Sequence, residues 1–167
     1  TNSGSSWPAW AKTLNTATAG ALVDRAYAAY TTNTNLTTTI PHDDTIPQNT
    51  EGTEILSASI TPKSATNRLR VTFRGYGNVA SAGNIAAALF QDSTADALCA
   101  VTTGCISTSD PACLVLQHEF VPGSTSSTTL KIRVGASSGT MRMNGTTAAR
   151  LFGGVGNATL VIEEIVA

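Results

Sequence analysis

The chain has 167 residues and a formal charge of −1, with 13% charged residues, 27 Thr, 15 Ser and 14 Gly. That length suits one domain with its own core and is short for two. The charge excludes a nucleic-acid partner, which would need an excess of Lys and Arg on one face, and no run reaches the 18 or more apolar residues of a membrane-spanning helix.

Residues 1–36 read differently from the rest and are expected to form an N-terminal stem or linker. The chain opens on Thr1 rather than Met, as expected of a piece of something longer or processed. Trp7-Pro8-Ala9-Trp10 reads as an aromatic anchor that packs against a neighbouring chain or domain. In Thr18–Tyr30, Val23, Ala26, Tyr27 and Tyr30 fall at i, i+3, i+4 and i+7, which predicts a short helix. About three turns are too few to be stable alone, so this helix must pack on something.

From residue 37 the period changes to two. In Asn67–Tyr76, Leu69, Val71 and Phe73 share one side, while Arg68, Arg70, Thr72 and Arg74 share the other, the pattern of a half-buried strand. Thr128–Val134 repeats it, with Leu130, Ile132 and Val134 inward and Lys131 and Arg133 outward. Further strands are predicted at Thr53–Thr61, Asn84–Gln91, Ala112–Val121, Gly139–Asn144 and Ala158–Val166. Turn signals such as Thr61-Pro62-Lys63-Ser64 and Pro122-Gly123-Ser124 separate them. The fold class is therefore all-β: a jelly-roll-like β-sandwich over 37–167, behind a short helical or extended stem.

Motifs for catalysis are sparse. There are two histidines: His42 lies in a Pro-flanked loop, and His118 shares a strand face with Leu114, Leu116 and Phe120, where a hydrogen-bonded core role is expected. No phosphate loop, dinucleotide fingerprint or nucleophile elbow occurs, so no cofactor is expected. Cys99, Cys105 and Cys113 lack the spacing and fourth ligand of a zinc site. A Cys99–Cys105 or Cys105–Cys113 disulfide is open, as is the reading that these are buried or loop thiols. The carboxylates Asp43, Asp44, Glu51 and Glu54 cluster within twelve residues. They could serve as a hydrolytic pair, or fix a Pro/Thr/Asp loop by bonding nearby amides. The outward arginines Arg68, Arg70 and Arg74, with Tyr76 beside them, could grip an acidic sugar. They could equally contact another subunit or glutamates on an adjacent strand.

Residues 38–56 contain Asp43-Asp44-Thr45-Ile46-Pro47-Gln48, then Thr50-Glu51-Gly52; Ile60–Val71, Ala88–Leu98, Pro122–Gly135, Met143-Asn144-Gly145 and Leu160–Ile165 continue the series. Over about residues 37–167 it resembles the C-terminal domain that recurs on tail fibres and tailspikes of tailed bacteriophages. The cysteine-bearing stretch from Cys99 to Cys113 departs from that pattern. The resemblance implies a homotrimeric jelly roll at the extracellular tip of the virion's fibre, with no membrane insertion, that assembles the fibre or binds host cell-surface polysaccharide or lipopolysaccharide. Under it, Arg70, Arg74 and Tyr76 are candidate receptor contacts, and Asp43, Asp44 and Glu51 belong to a structural loop of the trimer. The alternatives are a polysaccharide depolymerase using these carboxylates at subunit boundaries and a purely structural trimerisation module. No catalytic role is expected of the domain itself, any depolymerase belonging to an upstream domain.

Overall fold

A computed structural model describes residues 18–106, 109–146 and 149–167. Among them are ten strands and one 3-10 turn: β1 Leu22–Tyr30, β2 Thr34–Leu36, β3 Thr53–Ile60, β4 Arg68–Val79, β5 Gly83–Gln91, β6 Cys99–Cys105, β7 Ala112–Phe120, β8 Thr128–Ala136, β9 Met141–Met143 and β10 Ala158–Ile165, with the turn at Phe152–Gly154.

The strands make two antiparallel sheets packed face to face. The first runs β1-β10-β4-β7, and β9 and β2 extend it beyond the end of β10 along the same edge of β4. The second runs β3-β8-β5-β6. Each sheet alternates early and late strands, the crossing pattern of a jelly roll made from two Greek keys. Between the sheets, Leu69, Val71 and Phe73 of β4 and Leu160 and Ile162 of β10 meet Ile85 and Leu89 of β5 and Leu130, Ile132 and Val134 of β8, all fully buried. The period-two pattern of β4 and β8 thus places the residues it predicts inside. His118 faces the same way and stacks on Phe120, with ring centroids 5.9 Å apart.

Two expectations are corrected. Residues 22–30 are not a helix but the strand β1, paired with β10 from Leu22↔Ile165 to Tyr30↔Ala158. The four residues that suggested a helical face are divided between two sides: Ala26 and Tyr30 pack toward the core, while Val23 and Tyr27 are exposed. A segment too short to hold a helix alone, despite its alanines, gains more by pairing with the otherwise open edge of β10. Residues 22–36, expected in a stem, therefore supply two strands of the first sheet; the Trp7–Trp10 anchor lies outside the described residues.

The second correction concerns the cysteines. Cys99–Cys105 is not a loop but β6, paired with β5. All three thiols are free. Cys99 and Cys105 stand at opposite ends of an extended strand, about 20 Å apart at ~3.3 Å per residue, well beyond disulfide reach. Cys105 is buried against the Gly77 carbonyl, whereas Cys113 is exposed. Burial pushes the Cys99 thiol up to about 11, so it stays protonated at neutral pH.

Candidate functional site

The outer faces of the two sheets differ. Over the second sheet lies the segment 37–52, between β2 and β3, which acts as a strap. Ile40 covers Ala88 and Phe90 on the outward side of β5, and this small second core leaves Phe90 1% exposed. The strap sits close because Ile40 N–H donates to the Ala136 carbonyl (3.0 Å) and Gly52 N–H to the Thr39 carbonyl (2.8 Å). Its far end is tied to the β5–β6 turn: Gln48 Nε2 donates to Asp96 (2.9 Å), Asn49 N–H to the Ala95 carbonyl (2.8 Å) and Ala97 N–H to the Pro47 carbonyl (3.0 Å). From β8, Arg133 donates to the carbonyls of Glu51 (2.7 Å) and Gly52 (2.8 Å).

The clustered carboxylates fall on this strap with different duties. Asp43 accepts from the Thr45 N–H (2.9 Å) and hydroxyl (2.6 Å), a local turn; the Thr45 side-chain bond, then the backbone bond, holds its pKa below the usual value. Glu51 accepts from the Gln48 N–H (2.9 Å), and Glu54 lies 3.9 Å from Arg133. Asp44 is exposed at the tip. Between residues 43–47 and Ala97–Ala100 runs an open groove of about 400 Å³. A smaller one of about 250 Å³ continues past His42 to Thr102, and the His42 Nδ1 meets the Asn84 amide at 3.1 Å.

Among the described residues, the first sheet carries no such strap over its outer face. Outward positions of β4 are Arg68, Arg70, Thr72, Arg74 and Tyr76, and register sets Glu163, Val161 and Thr159 of β10 beside Arg70, Thr72 and Arg74. On the other side stand Glu119, Gln117, Val115 and Cys113 of β7. Arg70 Nε bonds Glu119 at 2.6 Å, and Arg68 reaches the same carboxylate at 3.7 Å. The Arg70 partner lowers the Glu119 pKa, and Glu119 in turn raises that of Arg70. Tyr27 and Val115 are 55% and 62% exposed on this face.

The three residues expected to contact a receptor share this face but do not converge. Arg70 is engaged by Glu119. Arg74 is exposed beside Val115. Tyr76 is half-buried: its hydroxyl lies where a side chain on Gly156 would stand, and it has no hydrogen-bond partner among the described residues. Burial raises its pKa. Two positions outside the candidate receptor and loop residues hold the frame. Asn144, fully buried at φ 58°, donates to the carbonyls of Tyr30 (2.8 Å) and Thr32 (3.1 Å), and its place before Gly145 was the signal for a left-handed turn. Glu164 is fully buried beneath the 62–67 turn.

No family model matches this chain and no curated protein matches it. Among solved structures it is similar to Eiger TNF from S. frugiperda (10% identity, 87% of this chain and 94% of that chain, TM-score 0.46). It is also similar to the infectious bursal disease virus Gt strain structure (17% identity, 86% and 38%, TM-score 0.46). The enzymatically active domain of bacteriophage CBA120 tailspike protein 4 is more distant (12% identity, 72% and 18%, TM-score 0.27). This chain spans well under half of the latter two. Likenesses at this level carry no functional weight.

Proposed function

We propose that this domain is the trimeric C-terminal module of a bacteriophage tail fibre or tailspike, which assembles through its first sheet and meets host cell-surface polysaccharide on its strapped side. The observation that carries the reading is the difference between the two outer faces. One has no strap among the described residues and has Arg70 already paired to Glu119; the other is covered by the strap, which leaves an open groove at its margin. The run Asp43–Gly52 on which the sequence resemblance rests is the strap itself. The groove offers Asp43, Asp44, Thr45 and the short side chains of Ala97 and Ala100, polar groups beside an accessible floor that suit sugar hydroxyls. Asp43 and Glu51 are committed to turn bonds, which favours binding over hydrolysis. Threefold repetition would strengthen a weak sugar site by avidity. On this reading Arg74 and Tyr76 belong to the assembly side, and the receptor contact moves to the strap.

Asp44 separates binding from folding, since it is exposed at the strap tip. Asp44→Ala is expected to lower retention on host cells or immobilised host polysaccharide at least tenfold, with an unchanged thermal midpoint. Retention equal to the parent chain would overturn the placement of the site. Shortened polysaccharide chains after incubation would instead make the domain a depolymerase.

A further inference from the structure

The outer face of the first sheet carries a charge pattern that its register alone reveals. Arg25 of β1 is opposite Glu163 of β10, Glu163 is opposite Arg70 of β4, and Arg70 is opposite Glu119 of β7. The four side chains form one row across four strands, about 14 Å long at ~4.8 Å between strands, with signs plus, minus, plus, minus. The row is balanced in charge and antisymmetric about its centre: whatever stands at one distance left of the centre is matched by its opposite at the same distance right. Exposed Leu22 and Val121 lie below it at the ends of the outer strands, and Tyr27 and Val161 lie above it.

We infer that this row is the docking code for a second copy of the same chain, and that it fixes the direction of the symmetry axis. The inference rests on the reading that the chain assembles with itself. A rotation axis parallel to the strands, in front of the sheet, brings β1 of one copy toward β7 of the next and β10 toward β4. Arg25 then meets Glu119 of the neighbour, and Glu163 meets its Arg70. The match holds for two copies or three, because either rotation sets a left half against a right half. An axis along the row would set Arg25 against Arg25 and Glu163 against Glu163, which like-charge repulsion disfavours. Arg68, one row below, shares Glu119, and Arg74, two rows above, lies beside Val115; neither changes the alternation. For a module of a fibre, an axis along the strands allows the sandwich to continue the fibre direction.

The test is sedimentation equilibrium of the full chain and three variants at micromolar concentration and moderate salt, with circular dichroism to confirm the fold. Arg25→Glu sets like charges against Glu119 of the neighbour, and Glu119→Arg does so against Arg25. Each is expected to raise the dissociation constant at least tenfold. The double variant Arg25→Glu/Glu119→Arg restores opposite signs between copies and is expected to recover most of the association. If the parent chain associates and both single variants associate equally well, this face is not the interface, and assembly proceeds elsewhere. Single variants that dissociate without rescue in the double variant would also overturn the charge code. A folded parent chain that stays monomeric overturns both this inference and the assembly reading on which it rests.

Discussion

Glu164→Ala is expected to destabilise the domain by about 3–5 kcal/mol, because it removes the acceptor of a buried turn. The carboxylate has no exposed surface. It accepts from the Lys63 N–H (2.8 and 2.9 Å to its two oxygens), the Ser64 N–H (3.1 Å) and the Asn67 amide (2.7 Å). Alanine leaves these donors unpaired beneath the 62–67 turn, which feeds the chain from β3 of the second sheet into β4 of the first. At ~2–4 °C per kcal/mol for a chain of this size, the thermal midpoint should fall by roughly 6–20 °C. Glu164→Gln keeps one acceptor oxygen and should lose about half as much. A fall under about 2 °C for the alanine variant would mean that water replaces the carboxylate at little cost.

Gly135→Ala should act on the other sheet and on the proposed binding side. A methyl group at Gly135 would stand 2.8 Å from the Thr38 carbonyl and 2.9 Å from the Ile40 nitrogen, both backbone atoms of the strap. The strap must shift, and with it the Ile40 N–H bond to Ala136 and the cover over Phe90. Overpacking and one weakened bond together cost about 2–4 kcal/mol. The more telling outcome is selective. Polysaccharide retention should fall with the groove, while self-association through the first sheet persists. Loss of both together would show that the two faces are not independent.

What the sequence made legible follows from where the physics is local. β4 and β8 alternate strong apolar residues with charged or hydroxyl residues, so their inward sides could be read directly. β1 could not, because Ala and Tyr at its positions satisfy a helical and a strand period equally, and its conformation is decided by β10, more than a hundred residues away. β6 hid for a different reason: Cys, Ala, Thr and Gly give little contrast between faces, and only the open edge of β5 makes it a strand. Asp43 was legible as a turn residue, since its Thr45 partner is two positions on. The strap as a cover was not, because it depends on the space left at Gly135. The charge row is the extreme case. The sequence pointed the arginine-bearing strand toward glutamates on a neighbouring strand, but that Arg25, Glu163, Arg70 and Glu119 stand in one row needs the register of three strand pairs.

The central claim is that this chain works as an assembled binding module, and the mass of the unmodified chain in solution tests it most directly. Sedimentation equilibrium at micromolar concentration should give three times the chain mass of 17.1 kDa, unchanged on tenfold dilution. A folded species at the single-chain mass across that range would contradict the account.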